Sequence, residues 1–170
     1  MKQLLLFDSE NNTVSSGERS YWKMFIDGAS RDNPGKSGAG VYIVKNDKVV
    51  GKFGYYLGIK TNNQAEYLAL VLGLFYLKNN VAVTDFVMIF SDSQLLVRQI
   101  QGIYKIKNEL LKPLYAVAKK ILSSMKYDIA HIMREENSNA DALANKGIHE
   151  KILLTEDQLA FLRDHNVSID

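Results

Sequence analysis

Two aspartates close apolar runs in this chain: Asp27 follows Met24-Phe25-Ile26, and Asp92 follows Ile89-Phe90-Ser91. A buried strand that ends on an Asp delivers charge to the strand terminus, where ligands of open α/β sheets gather. Any single Asp serves more often as a turn or cap residue, so neither is decisive alone. Two more carboxylates open helical patterns. Glu66 falls one position from the stripe residue Ala65, at the edge of a buried helix face. Asp141 lies in the first turn of Asn139-Ala140-Asp141-Ala142-Leu143-Ala144. Both positions also suit an acid that merely complements a helix N-terminus.

The elements that must position these residues follow from periodicity and punctuation. Tyr21 to Asp27 reads as a strand bounded by Asp27-Gly28 and by the Asn33-Pro34-Gly35 loop. Val41 to Val44 and Val49 to Leu57 read as second and third strands in an antiparallel meander, turning at Asn46-Asp47. Thr61 with Gln64 forms a capping-box pattern, and Ala65, Leu68, Ala69, Leu72 and Tyr76 then recur at the helical period. Phe86 to Phe90 is wholly apolar, as in a central strand buried on both faces. Helices are predicted over Ser93–Ile100 and from about Asn108 to Met125, with Pro113 able to displace the start of the second. Tyr127 to Met133 reads as the last strand, and Asn137 or Ser138 caps a helix ending near Gly147. Thr155 with Gln158 opens a terminal helix to His165. The order is that of an α/β domain with a mixed sheet.

Residues 8–20 are polar and nearly free of large apolar groups, so they read as a flexible linker after the apolar cluster of residues 1–7. The chain therefore divides into a 1–20 segment, a 21–150 domain and a 151–170 extension. With 170 residues, 46% of them hydrophobic, a single core is within reach. A net charge of +2 confines any nucleic-acid footprint to local patches. The absence of cysteine excludes disulfides and thiolate metal sites, and gives no sign of secretion. Leu4-Leu5-Leu6-Phe7 is too short for a signal core or a membrane span, so a soluble, cytoplasmic protein is expected.

Four groups of residues, in order, resemble the motifs of the type 1 ribonuclease H family. They are Ile26-Asp27-Gly28-Ala29 with Asn33-Pro34-Gly35 and Gly38-Ala39-Gly40; then Thr61-Asn62-Asn63-Gln64-Ala65-Glu66; then Phe90-Ser91-Asp92-Ser93-Gln94 with Leu96-Val97; and then Arg134-Glu135-Glu136-Asn137 leading to Ala140-Asp141-Ala142-Leu143-Ala144. The resemblance spans residues 22–147, and four motifs in register are far more specific than one. It implies a ribonuclease H-like fold: a five-stranded mixed sheet, three strands antiparallel and two parallel, with helices on both faces. It also implies that Asp27, Glu66, Asp92 and Asp141 gather into one catalytic, metal-binding cluster. Clustered carboxylates repel one another unless cations intervene, and oxygen-only ligands suit Mg²⁺, with Mn²⁺ a possible substitute. Two ions about 4 Å apart would clamp an in-line displacement at phosphorus. By family analogy Asp27 bridges both, Asp141 completes the ion that activates water, and Glu66 with Asp92 holds the one at the leaving oxygen.

The implied activity is endonucleolytic hydrolysis of the RNA strand of RNA–DNA hybrids, as in primer removal during DNA replication, giving 5′-phosphate and 3′-hydroxyl ends. Two alternatives are a non-catalytic hybrid-binding module and a nuclease of this fold acting on double-stranded RNA. RNA is distinguished by its 2′-hydroxyl, which calls for neutral polar partners; Asn33, Asn63 and Gln94 match the family's groove-reading positions, and Thr61 and, less securely placed, Asn62 would contribute backbone or phosphate contacts. Turn chemistry and helix capping would equally explain Asn33 and Asn63. Two departures stand out. The Lys/Arg-rich helical insertion of some relatives is missing, so Lys105, Lys107 and nearby Lys112 are left as candidate phosphate contacts. The loop before Asp141 is compact, without the mobile His of relatives; His131 reads as a packed or edge residue, and Arg134 or Glu135 as possible substitutes.

Gln3-Leu4-Leu5-Leu6-Phe7 resembles the bacterial sliding-clamp-binding peptide, with Gln3, Leu4, Leu6 and Phe7 on its pattern. A linear motif needs apolar anchors and a tether, which residues 8–20 provide. An extra edge strand or a chance apolar cluster would explain the same residues.

Overall fold

The computed structural model describes residues 17–169; the proposed clamp peptide lies outside them. Five strands, β1 (Tyr21–Ser30), β2 (Gly35–Lys45), β3 (Lys48–Lys60), β4 (Phe86–Ser91) and β5 (Lys126–His131), form one sheet in the order β3-β2-β1-β4-β5. The β1–β2 and β2–β3 pairs are antiparallel, and the β1–β4 and β4–β5 pairs are parallel. The helices are α1 (Asn62–Lys78), α2 (Gln94–Ile100), α3 (Lys112–Leu122), α4 (Ser138–Glu150) and α5 (Glu156–Asp164), with a single 3₁₀ turn at Arg134–Asn137. No helix among the described residues is long and apolar enough to cross a membrane.

Helices cover both faces of the sheet. α1 buries nearly its whole circumference, including Tyr67, Leu70, Val71 and Leu74 outside the predicted stripe. It lies between the sheet and α3, so a single apolar face would not have sufficed. Phe75 of α1 packs on Phe161 of α5, and Leu154, Phe161, Leu162 and Val167 belong to the same core as the sheet. α4 lies on the opposite face, across β1, β2 and β3. There is no room for side chains between that helix and the sheet: a Cβ at Gly40 would stand 2.0 Å from the Ala140 carbonyl oxygen.

That close approach explains a difference from the sequence expectation. β2 starts at Gly35, not Val41, because Gly35-Lys36-Ser37-Gly38-Ala39-Gly40 is a strand built to receive a helix. Several other boundaries shift. α3 begins at Lys112, with Pro113 in its first turn where no amide donor is needed, so residues 101–111 form a connection, exposed except where Ile106 and Leu111 anchor it on the core. β5 ends at His131, and Ile132-Met133 lead into the 3₁₀ turn. α4 continues past Gly147 to Glu150 and closes on Lys151, which takes the left-handed conformation at φ 51°.

Candidate active site

Asp27 and Asp92 come together through strand register. Ile26 pairs with Ser91 across the parallel β1–β4 ladder, so the next residues in each chain are neighbours. Glu66 arrives from the first turns of α1. Thr61 fixes the start of that helix: its hydroxyl accepts from the Gln64 amide at 3.2 Å while Gln64 Oε1 accepts from the Thr61 amide at 2.9 Å. Gly28 then allows the helix to approach β1, since a Cβ there would lie 2.2 Å from the Glu66 backbone nitrogen. Oxygen atoms of Asp27, Glu66 and Asp92 all fall within 4.8 Å of one another. Asp141, carried by α4, lines the same 680 Å³ cleft.

The electrostatics of the cluster are those of crowded, poorly solvated carboxyls. Burial, then the charges of Asp92 and Asp141, push the Asp27 carboxyl up to about 8. Burial and then Asp27 and Asp92 likewise hold Glu66 well above the usual carboxylate range. Glu66 Oε2 is sealed from solvent without a hydrogen-bond donor. A buried acceptor without a partner, inside a set of oxygen donors, is the arrangement a divalent cation would satisfy. The residues present therefore fit a hard metal. Among the described residues Arg134 supplies a cation to the cluster, its guanidinium 3.4 Å from Asp141 Oδ1.

The other candidates divide. Asn62 and Asn63 are exposed and line the cleft, and the Asn62 amide donates to Asn33 Oδ1 at 3.1 Å. This bond ties the β1–β2 loop to the start of α1, so Asn33 has a structural partner just outside the cleft lining. Thr61 is occupied with its cap. Gln94 is exposed at the first position of α2 and stands outside the lining, whereas its neighbour Ser93 is part of it. Lys105 and Lys107 are exposed on the 101–111 connection, away from the carboxylates.

Some residues emerge only from the fold. His131 ends the edge strand β5 with its Nε2 3.2 Å from the Asp92 carbonyl oxygen, and it lines the cleft. Arg31 and Asn145 line it too, and Asn145 Nδ2 donates to the Asp141 carbonyl one turn back at 2.9 Å. Asn137, expected as a helix cap, makes no such bond. Its buried side chain instead donates to the Ile26 carbonyl at 2.8 Å, linking the strand of Asp27 to the helix of Asp141. Nothing local announces that bond; only the sequence spacing of Asn137 from Asp141 hinted at a role.

The comparisons with known proteins agree with this geometry. The family model described as "Reverse transcriptase-like" matches residues 25–147. Ribonuclease HI of Halobacterium salinarum is 35% identical over 74% of this chain, which spans 63% of that relative's length. A bifunctional protein of Mycobacterium tuberculosis matches at 35% over 70% of this chain, which spans 33% of its length. The crystal structure of LC11-RNase H1 in complex with RNA/DNA hybrid superposes with a TM-score of 0.71 at 35% identity, covering 76% of this chain and 97% of that one. With the family model matched over most of the chain and the fold shared at this identity, the chain belongs to the type 1 ribonuclease H family.

Proposed function

We propose that this chain is an endoribonuclease that hydrolyses the RNA strand of RNA–DNA hybrids, leaving 5′-phosphate and 3′-hydroxyl ends. One observation carries the reading: carboxylates from β1, α1, β4 and α4, up to 114 positions apart, line one cleft with the neutral amides Asn62 and Asn63. Such a cleft suits a phosphodiester whose flanking sugars carry a 2′-hydroxyl. Asp27, Glu66, Asp92 and Asp141 would hold two Mg²⁺ ions, or Mn²⁺, with Asp27 shared, Asp141 on the side of the attacking water, and Glu66 and Asp92 on the side of the leaving 3′ oxygen. When bound, the ions supply the positive charge that offsets charge developing on both oxygens. Asn63 and Asn62 orient the ribose through its 2′-hydroxyl, while Asn33, Thr61 and Gln94 contact the neighbouring groove and backbone. Lys105 and Lys107 meet phosphates of the DNA strand. In this reading residues 21–150 are the catalytic unit, working in the cytoplasm during DNA replication.

The direct test is Asp92→Asn. It should lower cleavage of a labelled hybrid in Mg²⁺ by roughly a hundredfold or more, the scale of losing a group that stabilises transition-state charge. Wild-type rates from that variant would sink the mechanism. A panel of hybrid, duplex RNA, duplex DNA and chimeric strands separates this activity from a nuclease of another specificity, and only the hybrid and chimeric strands should be cut.

Gln3, Leu4, Leu6 and Phe7 would dock the enzyme on a bacterial sliding clamp, with residues 8–20 as tether. Deleting residues 1–7 should leave hybrid cleavage intact and abolish clamp binding. Undiminished clamp binding after that deletion would refute the assignment.

A further inference from the structure

Among the described residues, the face of the sheet that carries α4 is only half covered. Beyond the helix, strand register sets Tyr42 opposite Phe25 and Phe25 opposite Phe90, and one turn of the pleat away sets Tyr21 opposite Phe86. Phe25 and Phe90 stack at 4.9 Å, and Tyr42 meets Phe25 edge-on at 6.1 Å. Val44 and Met88 flank Lys23 in the row between, on the same face by alternation, and the Lys23 ammonium reaches out to Asp47 at 3.7 Å over its apolar stem. None of these residues belongs to the main core, which lies on the α1 side. Tyr21 is 56% exposed, while Phe25, Tyr42, Val44, Phe86, Met88 and Phe90 are half-buried. Contiguous apolar surface of this kind marks a contact site.

Three observations point to the occupant. The chain enters β1 at the edge of this patch, where the Arg19 guanidinium lies 5.2 Å from the Tyr21 ring centre and 5.6 Å from that of Phe86. The sequence ahead of it holds the cluster Leu4-Leu5-Leu6-Phe7, and the intervening residues can span about 40 Å against about 14 Å from Tyr21 to Phe25. The acids Asp8 and Glu10 follow that cluster, and the patch offers them Lys23 in its middle row and Lys52 at its rim, over Tyr42 at 6.0 Å.

We propose that Leu4-Leu5-Leu6-Phe7 folds back over the sheet and packs on Phe25, Tyr42, Met88 and Phe90. The tether raises the effective concentration to the order of millimolar, so a modest apolar contact is populated within one molecule. The patch borders the carboxylates without including them, since Phe25 and Phe90 stand two residues before Asp27 and Asp92 in the chain. Capture of the same four residues by a protein partner would strip them from the sheet.

The chain has no cysteine, so Ser9→Cys gives the full-length protein a single site for a nitroxide label. The label should abolish the ring signals of Phe25, Tyr42 and Phe90 in the magnetic resonance spectrum. Replacing Leu4, Leu5, Leu6 and Phe7 together by serine in the labelled chain should restore them without affecting folding of residues 21–150. Ring signals that persist in the labelled chain, or a loss unaffected by the serine replacements, overturn the proposal. Loss that occurs only when labelled chains are mixed with separately isotope-enriched ones also overturns it, in favour of a second copy as the occupant.

Discussion

Asp27 is 5% exposed, yet it must be charged to hold a cation, and the fold offers it more carboxylates than donors. Its folded-state value near 8, against about 4 in an unfolded chain, means that the metal-free folded state takes up a proton that the unfolded state has released. The sign follows: without metal, this residue's contribution to stability is most favourable below the unfolded value and is lost as pH rises through about 8. A divalent ion removes that penalty. Thermal melts in EDTA and in Mg²⁺ at pH 6 and pH 8 should therefore show a larger stabilisation by Mg²⁺ at the higher pH. Asp27→Asn should flatten the difference. Equal Mg²⁺ effects at both values would contradict the electrostatic reading. The acids themselves were legible in the sequence within motifs, but Asp27, expected at a strand end, stands inside β1, which runs on to Ser30 because Asp27 to Ser30 pair with the glycine-rich start of β2. The partners that fix the acids were not legible: the Asn137 bond to Ile26 joins residues 111 positions apart, and no local pattern encodes it.

At the level of elements, the site depends on how closely α1 approaches β1. Gly28→Ala would drive a methyl group into the Glu66 backbone, where nothing flexible can yield, so the helix start must move. Displacement by about 1 Å is enough to cost on the order of a hundredfold in rate, whereas overpacking costs about 1–3 kcal/mol of stability. The expected signature is a variant that still folds, with a lower melting temperature, and has lost most cleavage; near-normal turnover would show that α1 has slack. The type and order of these elements were readable from periodicity and caps, and the Thr61–Gln64 box stands as expected. Their edges were less so, because small residues carry no periodic signal. Gly35 to Gly40 looks like a loop in sequence and is a strand because a helix backbone rests on it.

For the molecule as a whole, one buried acid joins the entry of the chain to its centre. Asp85 accepts from the Ser20 amide at 2.9 Å, from Trp22 Nε1 at 3.0 Å and from the Ala82 amide at 3.0 Å. Burial alone would raise its carboxyl, but these donors, with Lys45, hold it below the ordinary value. Its stabilisation is therefore full above the unfolded value of about 4 and disappears as pH falls through the lower folded one. Asp85→Ala leaves the buried indole without an acceptor and should cost about 2 kcal/mol or more by chemical denaturation at pH 7. That difference from wild type should shrink in acid; a constant gap would mean that packing, not charge, is what was lost. The sheet's mixed topology followed from motif order. That α5 and the residues around it would join the central core was not readable, because a capping box announces a helix and says nothing of where it docks.

The seating of α4 on Gly40 has a consequence for how the protein can change. Where helix and strand meet main chain to main chain, the separation of Asp141 from Asp27 is limited by van der Waals contact between the two backbones rather than by the shapes of interposed side chains. Substitutions in the core away from the cleft, among Val117, Leu122 or Leu162, can then alter melting temperature with little effect on the carboxylate cluster, whereas those on α1 also bear on Glu66. The cleft draws on both surfaces of the sheet, Glu66 from the α1 side and Asp141 from the α4 side, and selection can adjust the packing beneath α1 while the α4 side stays fixed.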